Sequence, residues 1–183
     1  MTIIVGISGS LRKHSYNSGL LRAAQAMMPA GARLEIASIA GVPLYDGDSE
    51  AAEGIPASVT ALKEAIAAAD GLLIATPEYN NGMPGVLKNA IDWASRPPAD
   101  LARVFGGKPV ALIGASPGGF GTVLGQNAWL PVLRTLGTEL WTGGRLLVSA
   151  ASTLFDGEGN LTDEATRARL AAFMAGFVIY ATR

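Results

Sequence analysis

Short apolar runs return along this chain at intervals that leave room for one helix each, and that alternation constrains the fold more than any other feature. "TIIVGIS" (residues 2–8), "LEIAS" (34–38), "GLLIAT" (71–76) and "PVALIGA" (109–115) are β-branched or aliphatic and are bounded by Gly, Pro or polar residues. Runs of this kind read as strands, and their unbroken apolar character means burial on both faces. Between them apolar residues recur at helical spacing: Leu20, Ala24 and Met27; Val59, Leu62, Ile66 and Ala69; Leu87, Ile91 and Ala94; Trp129, Val132, Leu133 and Leu136. A fifth strand is expected within "ELWTGGRLLVS" (139–149), and Leu170, Phe173, Phe177 and Ala181 mark a closing helix. The pattern predicts an α/β three-layer sandwich: a five-stranded parallel sheet, order 2-1-3-4-5, with helices on both sides.

With 183 residues the chain suits one domain, 1–183. Lys and Arg number 14 against 15 Asp and Glu, for a net charge of −1. That balance provides no broad basic field for nucleic acid or an anionic membrane, so any anion site has to be local. There is no cysteine, which removes disulfides, thiolate catalysis and cysteine-ligated metals and fits a cytoplasmic setting. The longest apolar stretch, "LAAFMAGFVIYA" (170–181), is shorter than the roughly 18 residues of a membrane span, and no secretion signal precedes the first strand.

In a sheet of this order, ligands sit beyond the carboxyl ends of the strands, at the switch between the first and third. Three polar loops should meet there: "SGSLRKHSYN" after the first strand, "PEYNNGMPG" after the third and "SPGGFGT" after the fourth. The first has the parts of a phosphate site. The amino end of the next helix offers free N–H groups, Ser10, Ser15 and Asn17 offer side-chain hydrogen bonds, and Arg12 offers a charged planar fork. Ser15 or Asn17 could equally be a simple N-cap. In the second loop Tyr79 and Asn80 set an aromatic face beside hydrogen-bonding groups, as a pocket for a planar ring would. Glu78 by itself reads as a surface charge. Asn80, Asn81 and Gly82 are turn formers and Pro84 suits a helix start. The glycines of the third loop allow either close approach to a ligand or a tight turn.

Some chemistries are disfavoured. Neither the dinucleotide G-x-G-x-x-G nor the Walker G-x-x-x-x-G-K-[ST] spacing occurs. "GASPG" (114–118) matches a nucleophile elbow at Ser116, but the only histidine, His14, precedes that serine instead of following it. A phosphoacceptor domain would need an aspartate at the end of the third strand, where Thr76 and Pro77 stand. The tryptophans at 93, 129 and 141 read as packing residues.

With these motifs in view, the chain resembles the NADPH-dependent FMN reductase family, of flavodoxin-like fold, and especially its quinone and chromate reductase branch. "GSLRKHSYN" and "PEYNNGMPGVLKNAIDW" carry the likeness, which runs from the first strand to "LFDGEGNLTDE". The resemblance implies that Ser10, Arg12, Ser15, Tyr16 and Asn17 hold the FMN phosphate. It implies that Pro77, Glu78, Tyr79 and Asn80 border the isoalloxazine and that Ser116 closes its far side. It further implies NADPH or NADH as hydride donor, a quinone, flavin, azo compound or chromate as acceptor, and a homodimer or homotetramer. A flavodoxin-like electron carrier with no substrate turnover is the competing expectation. The chain departs from the family in the helix after the fourth strand, where Leu124 and Pro131 occupy positions expected to be basic.

Overall fold

Continuous aliphatic runs form parallel strands here because a helix is available to cover each face. The computed structural model describes residues 1–183. In chain order its elements are β1 (Thr2–Ser8), α1 (Tyr16–Ala26), β2 (Ala32–Ala37), α2 (Gly47–Glu53), α3 (Ala57–Ala68), β3 (Gly71–Ala75) and α4 (Gly85–Ala94). Then follow α5 (Leu101–Val104), β4 (Pro109–Ala115), α6 (Val123–Thr135), β5 (Glu139–Leu140), β6 (Leu146–Val148) and α7 (Glu164–Ala181). The strands are all parallel, in the order β2-β1-β3-β4-β5, with β6 also on β4. Ile4 of β1 lies beside Leu34 on one flank and Gly71 on the other.

The period-2 alternation of side chains divides each strand between two cores. Ile4, Leu73, Ala111 and Ile113 belong to the cluster under α1 and α7, and Val5, Ile7, Leu72, Ile74 and Val110 to the one under α3, α4 and α6. The clusters hold 20 and 19 buried residues, so both faces of the central strands are covered; the edge strand β2 departs from the expected burial, with Arg33, Glu35 and Ile36 exposed.

The expected sheet order is present, with one difference in its last strand. "ELWTGGRLLVS" forms two short segments that pair with β4 at Val110 and again from Ile113, and residues 141–145 between them leave the ladder. Two adjacent glycines, Gly143 and Gly144, lie inside this interruption, and strand interiors disfavour glycine. The short helices α2 and α5 were not signalled by any periodicity. No helix is long and apolar enough to cross a membrane.

Candidate functional site

The first loop is built around hydroxyls. The Gly9 N–H donates to Ala75 O at 2.9 Å, so β1 stays joined to β3 one residue past its end. The Ser8 Oγ then accepts from Ser10 N (3.3 Å) and from Ser18 Oγ (2.9 Å), and the Ser10 Oγ accepts from Arg12 N (3.3 Å). Ser15 caps α1 by accepting from Ser18 N at 3.3 Å. Its hydroxyl hydrogen is still free to donate. The Tyr16 and Asn17 N–H groups at the head of this 11-residue helix have no acceptor in the protein. Two open donors at a positive helix end make an anion site. The Arg12 guanidinium is exposed, forms no ion pair, and lies 5.9 Å from the centroid of the Tyr16 ring.

Asn17 does more than the sequence implied. Its Nδ2 donates to Ala115 O at 2.9 Å and its Oδ1 accepts from Ala115 N at 3.0 Å. The buried amide thus pairs with the last residue of β4 as another strand would, which leaves the backbone N–H of Asn17 as its free group at the helix head. This clasp locks the first loop to the third.

The second loop is a tight hairpin turn. Tyr79 N donates to Gly82 O (3.1 Å) and Gly82 N to Tyr79 O (3.0 Å), with Asn80 and Asn81 at φ 50° and 61°. Positive φ at both central residues defines a type I′ turn, which asparagine tolerates. Tyr79 N–H is therefore committed within the turn. The Asn80 N–H donates to no acceptor in the protein and remains open, while the Tyr79 ring is exposed.

Glu78 is not a solvated surface charge. Its Oε2 accepts from Leu124 N at 2.8 Å and Gly125 N at 2.9 Å. Helix α6 starts from Thr122 in a left-handed conformation without any cap from that side chain. A carboxylate 46 residues earlier in the chain therefore supplies the missing cap and complements the helix dipole.

The third loop continues the sheet before it turns: Ser116 N donates to Val148 O at 3.0 Å, and Ser116 O accepts from Ala151 N at 3.0 Å. The Ser116 hydroxyl has no partner and is half-buried. His14, the residue a hydrolase would need, pairs with Glu158, its Nδ1 lying 3.2 Å from Glu158 O and 3.3 Å from Glu158 Oε2. The phosphoacceptor reading fares no better, since the Asp70 carboxylate at the start of β3 accepts from Ile3 N at 2.8 Å.

Close backbone approach fits the three loops together. A Cβ on Gly9 would stand 2.8 Å from both Pro77 Cδ and Leu87 Cδ2, and one on Gly125 would stand 3.1 Å from Pro77 O. Buried Trp129 donates from Nε1 to Thr76 Oγ1 at 3.1 Å, and buried Trp93 from Nε1 to Pro43 O at 2.9 Å. Trp141 packs on Phe173 with ring centroids 4.8 Å apart. All three tryptophans are packing residues. Ser8, Ser18, Thr76 and Thr122 organise the site without having been singled out, because a lone hydroxyl at a strand or loop end carries no distinguishing local pattern.

The loop after Phe155 buttresses α1. Arg22 donates to Asn160 Oδ1 and Gly159 O, both at 2.9 Å. Hydrogen bonds from the backbone and side chain of Asn160 hold the Asp156 carboxyl below the ordinary aspartate range.

A parallel sheet in this order, with three polar loops meeting beyond β1, β3 and β4 and open helix donors at the first, defines a flavodoxin-like FMN protein. More specifically, the chain belongs to the NADPH-dependent FMN reductase family, whose model matches residues 2–153. It is 48% identical over 164 residues to an NAD(P)H-dependent FMN reductase of Pseudomonas aeruginosa, covering 90% of this chain and 86% of that one. It is 42% identical to a 2-hydroxy-1,4-benzoquinone reductase of a Burkholderia species, covering 93% and 91%. Among solved structures, the flavoenzyme NAD(P)H:(acceptor) oxidoreductase FerB of Paracoccus denitrificans superposes with a TM-score of 0.87 at 34% identity, covering 100% of this chain and 98% of that one.

Proposed function

We propose that residues 1–183 act as one FMN-binding unit that oxidises NADPH or NADH and reduces a quinone or a related acceptor such as a flavin, an azo compound or chromate. The observation that carries this reading is the coincidence of the unpaired Tyr16 and Asn17 N–H groups with the Ser10 and Ser15 hydroxyls and the Arg12 charge. Those five residues hold the FMN phosphate: two through backbone donors, two through hydroxyl hydrogens and one through its guanidinium. Pro77, Glu78, Tyr79 and Asn80 border the isoalloxazine, with the open Asn80 N–H at the ring edge. Ser116 closes the opposite side with its free hydroxyl.

The chemistry FMN supplies when bound is two-electron transfer between a nicotinamide and an acceptor. The protein binds, orients and tunes. A backbone donor fixed by the Asn80–Asn81 turn stabilises negative charge at the ring edge without reorganising during the reaction. No side chain is assigned a proton-transfer role. The names of the relatives favour a quinone, and the lack of cysteine fits a cytoplasmic enzyme.

Association into a homodimer or homotetramer is part of this proposal. Leu44 is 86% and Phe120 72% exposed, and each would lose apolar surface to a covering partner subunit, a favourable change. The test of the whole reading is to mix purified, FMN-loaded protein with NADPH and 1,4-benzoquinone and follow the nicotinamide absorbance. Rapid, quinone-dependent loss supports the enzyme. An unchanged signal with flavin bound favours the electron carrier.

A further inference from the structure

The interrupted fifth strand borders a cavity on the flank of α6. Because residues 141–145 leave the ladder between Leu140 and Leu146, the edge of β4 at Leu112 is uncovered and a space of about 280 Å³ opens beside it. Leu112, Leu130, Leu140 and Trp141 give it apolar walls, and Gln126 and Arg145 are among its polar members. Small-molecule pockets span roughly 300 to 1,000 Å³, so this one sits at the lower limit. It suits a single substituted ring and is too small for a dinucleotide.

Two polar groups in it lack partners. Gln126 is only 6% exposed; its Nε2 donates to Thr122 Oγ1 (3.2 Å) and Leu146 O (3.1 Å), while its Oε1 receives no hydrogen bond from the protein. No enclosed side-chain oxygen of the protein lacks a partner, so this one reaches the solvent of the cavity and is open to a ligand's donor. Arg145 forms neither an ion pair nor a hydrogen bond with any protein group. A planar guanidinium free of carboxylates beside an apolar wall is matched by an aromatic carboxylate.

We propose that this cavity binds a small hydroxylated aromatic acid, with the ring against Leu130 and Trp141, the carboxylate on Arg145 and the hydroxyl donating to Gln126 Oε1. None of its lining residues is assigned to the flavin, although Gln126 donates to Thr122 at the end of the third loop, and the proposal does not depend on the flavin assignment.

The test titrates 4-hydroxybenzoate into the purified 183-residue chain by calorimetry and by tryptophan fluorescence. Trp93 and Trp129 are buried, so Trp141 in the cavity wall reports occupancy. Saturable binding at one site per chain with a fluorescence change is expected. Replacing the acid by uncharged 4-hydroxybenzamide, or the protein by Arg145→Gln, should each weaken it at least about tenfold, the scale of one charge-assisted hydrogen bond. Arg145→Gln should retain the wild-type circular dichroism and FMN content, since that side chain holds nothing else. Absence of saturable binding in the millimolar range, or equal binding of acid and amide, overturns the proposal. So does an Arg145→Gln variant that changes the sedimentation coefficient while leaving 4-hydroxybenzoate affinity unchanged, which would make Arg145 a subunit contact.

Discussion

The Oε2 atom of Glu78 lies 2.9 Å from the backbone nitrogen of Gly125, so a residue of the loop after β3 caps the helix after β4. Removing that cap should loosen both at once. Glu78→Ala is expected to lower unfolding free energy by about 1 kcal/mol, as for other lost N-caps, and to weaken FMN. Glu78→Gln keeps an acceptor oxygen and should recover most of the stability. Urea unfolding and flavin titration of both variants check this.

Arg12 has no ion-pairing partner and packs only over Tyr16. Arg12→Ala should therefore leave apoprotein stability nearly unchanged. It should weaken FMN by about 1.5 to 3 kcal/mol, the range for hydrogen bonds to charged groups. Retention of flavin through gel filtration at wild-type level would count against the phosphate assignment.

The Asn17 side chain exchanges two hydrogen bonds with Ala115 where both residues are buried. In Asn17→Ala the N–H and C=O of Ala115 lose their partners, at about 1 to 3 kcal/mol each. A large fall in the urea midpoint is expected even without flavin, which distinguishes this variant from Arg12→Ala.

Gly9 and Gly85 form a matched pair. A methyl group at Gly9 meets Pro77 and Leu87 at 2.8 Å, whereas one at Gly85 meets nothing within 4 Å. Gly9→Ala should cost about 1 to 3 kcal/mol through overpacking, force apart the first two loops and, on the proposed reading, weaken FMN. Gly85→Ala, in the first turn of α4, should be neutral or stabilising by up to about 1 kcal/mol. Thermal melts with and without FMN compare the two.

Acid should destabilise the fold through carboxylates that hold backbone in place. Hydrogen bonds from Thr166 keep the Asp163 cap of α7 below the ordinary aspartate range, and those from Asn160 do the same for Asp156. A group whose pKa is lower folded than unfolded contributes its stability above the unfolded value, about 3.9 for aspartate, and loses it as pH falls through the folded one. Stability should thus be level near neutrality and decline below about pH 4. Asp163→Asn, which can still cap, should show a shallower decline in urea midpoints measured against pH.

Sequence alone determined the alternation of strands and helices and the three polar loops that follow the first, third and fourth strands. These follow from local periodicity: Ile4 and Val5 must face opposite sides of a strand wherever it lies, and Leu20 and Ala24 must share a helix face. Ser15 as a cap was legible for the same reason, since its partner Ser18 is three residues away. Tertiary structure decided the pairings whose partners are distant in the chain. The Asn17 amide is spent on Ala115, 98 residues on, and the Glu78 carboxylate on a helix end that no neighbouring residue reveals. The fifth strand breaks at Trp141 although its flanks read as continuous. A side chain's hydrogen-bonding capacity is intrinsic to its type, but which group satisfies it depends on what the folded chain brings within about 3 Å.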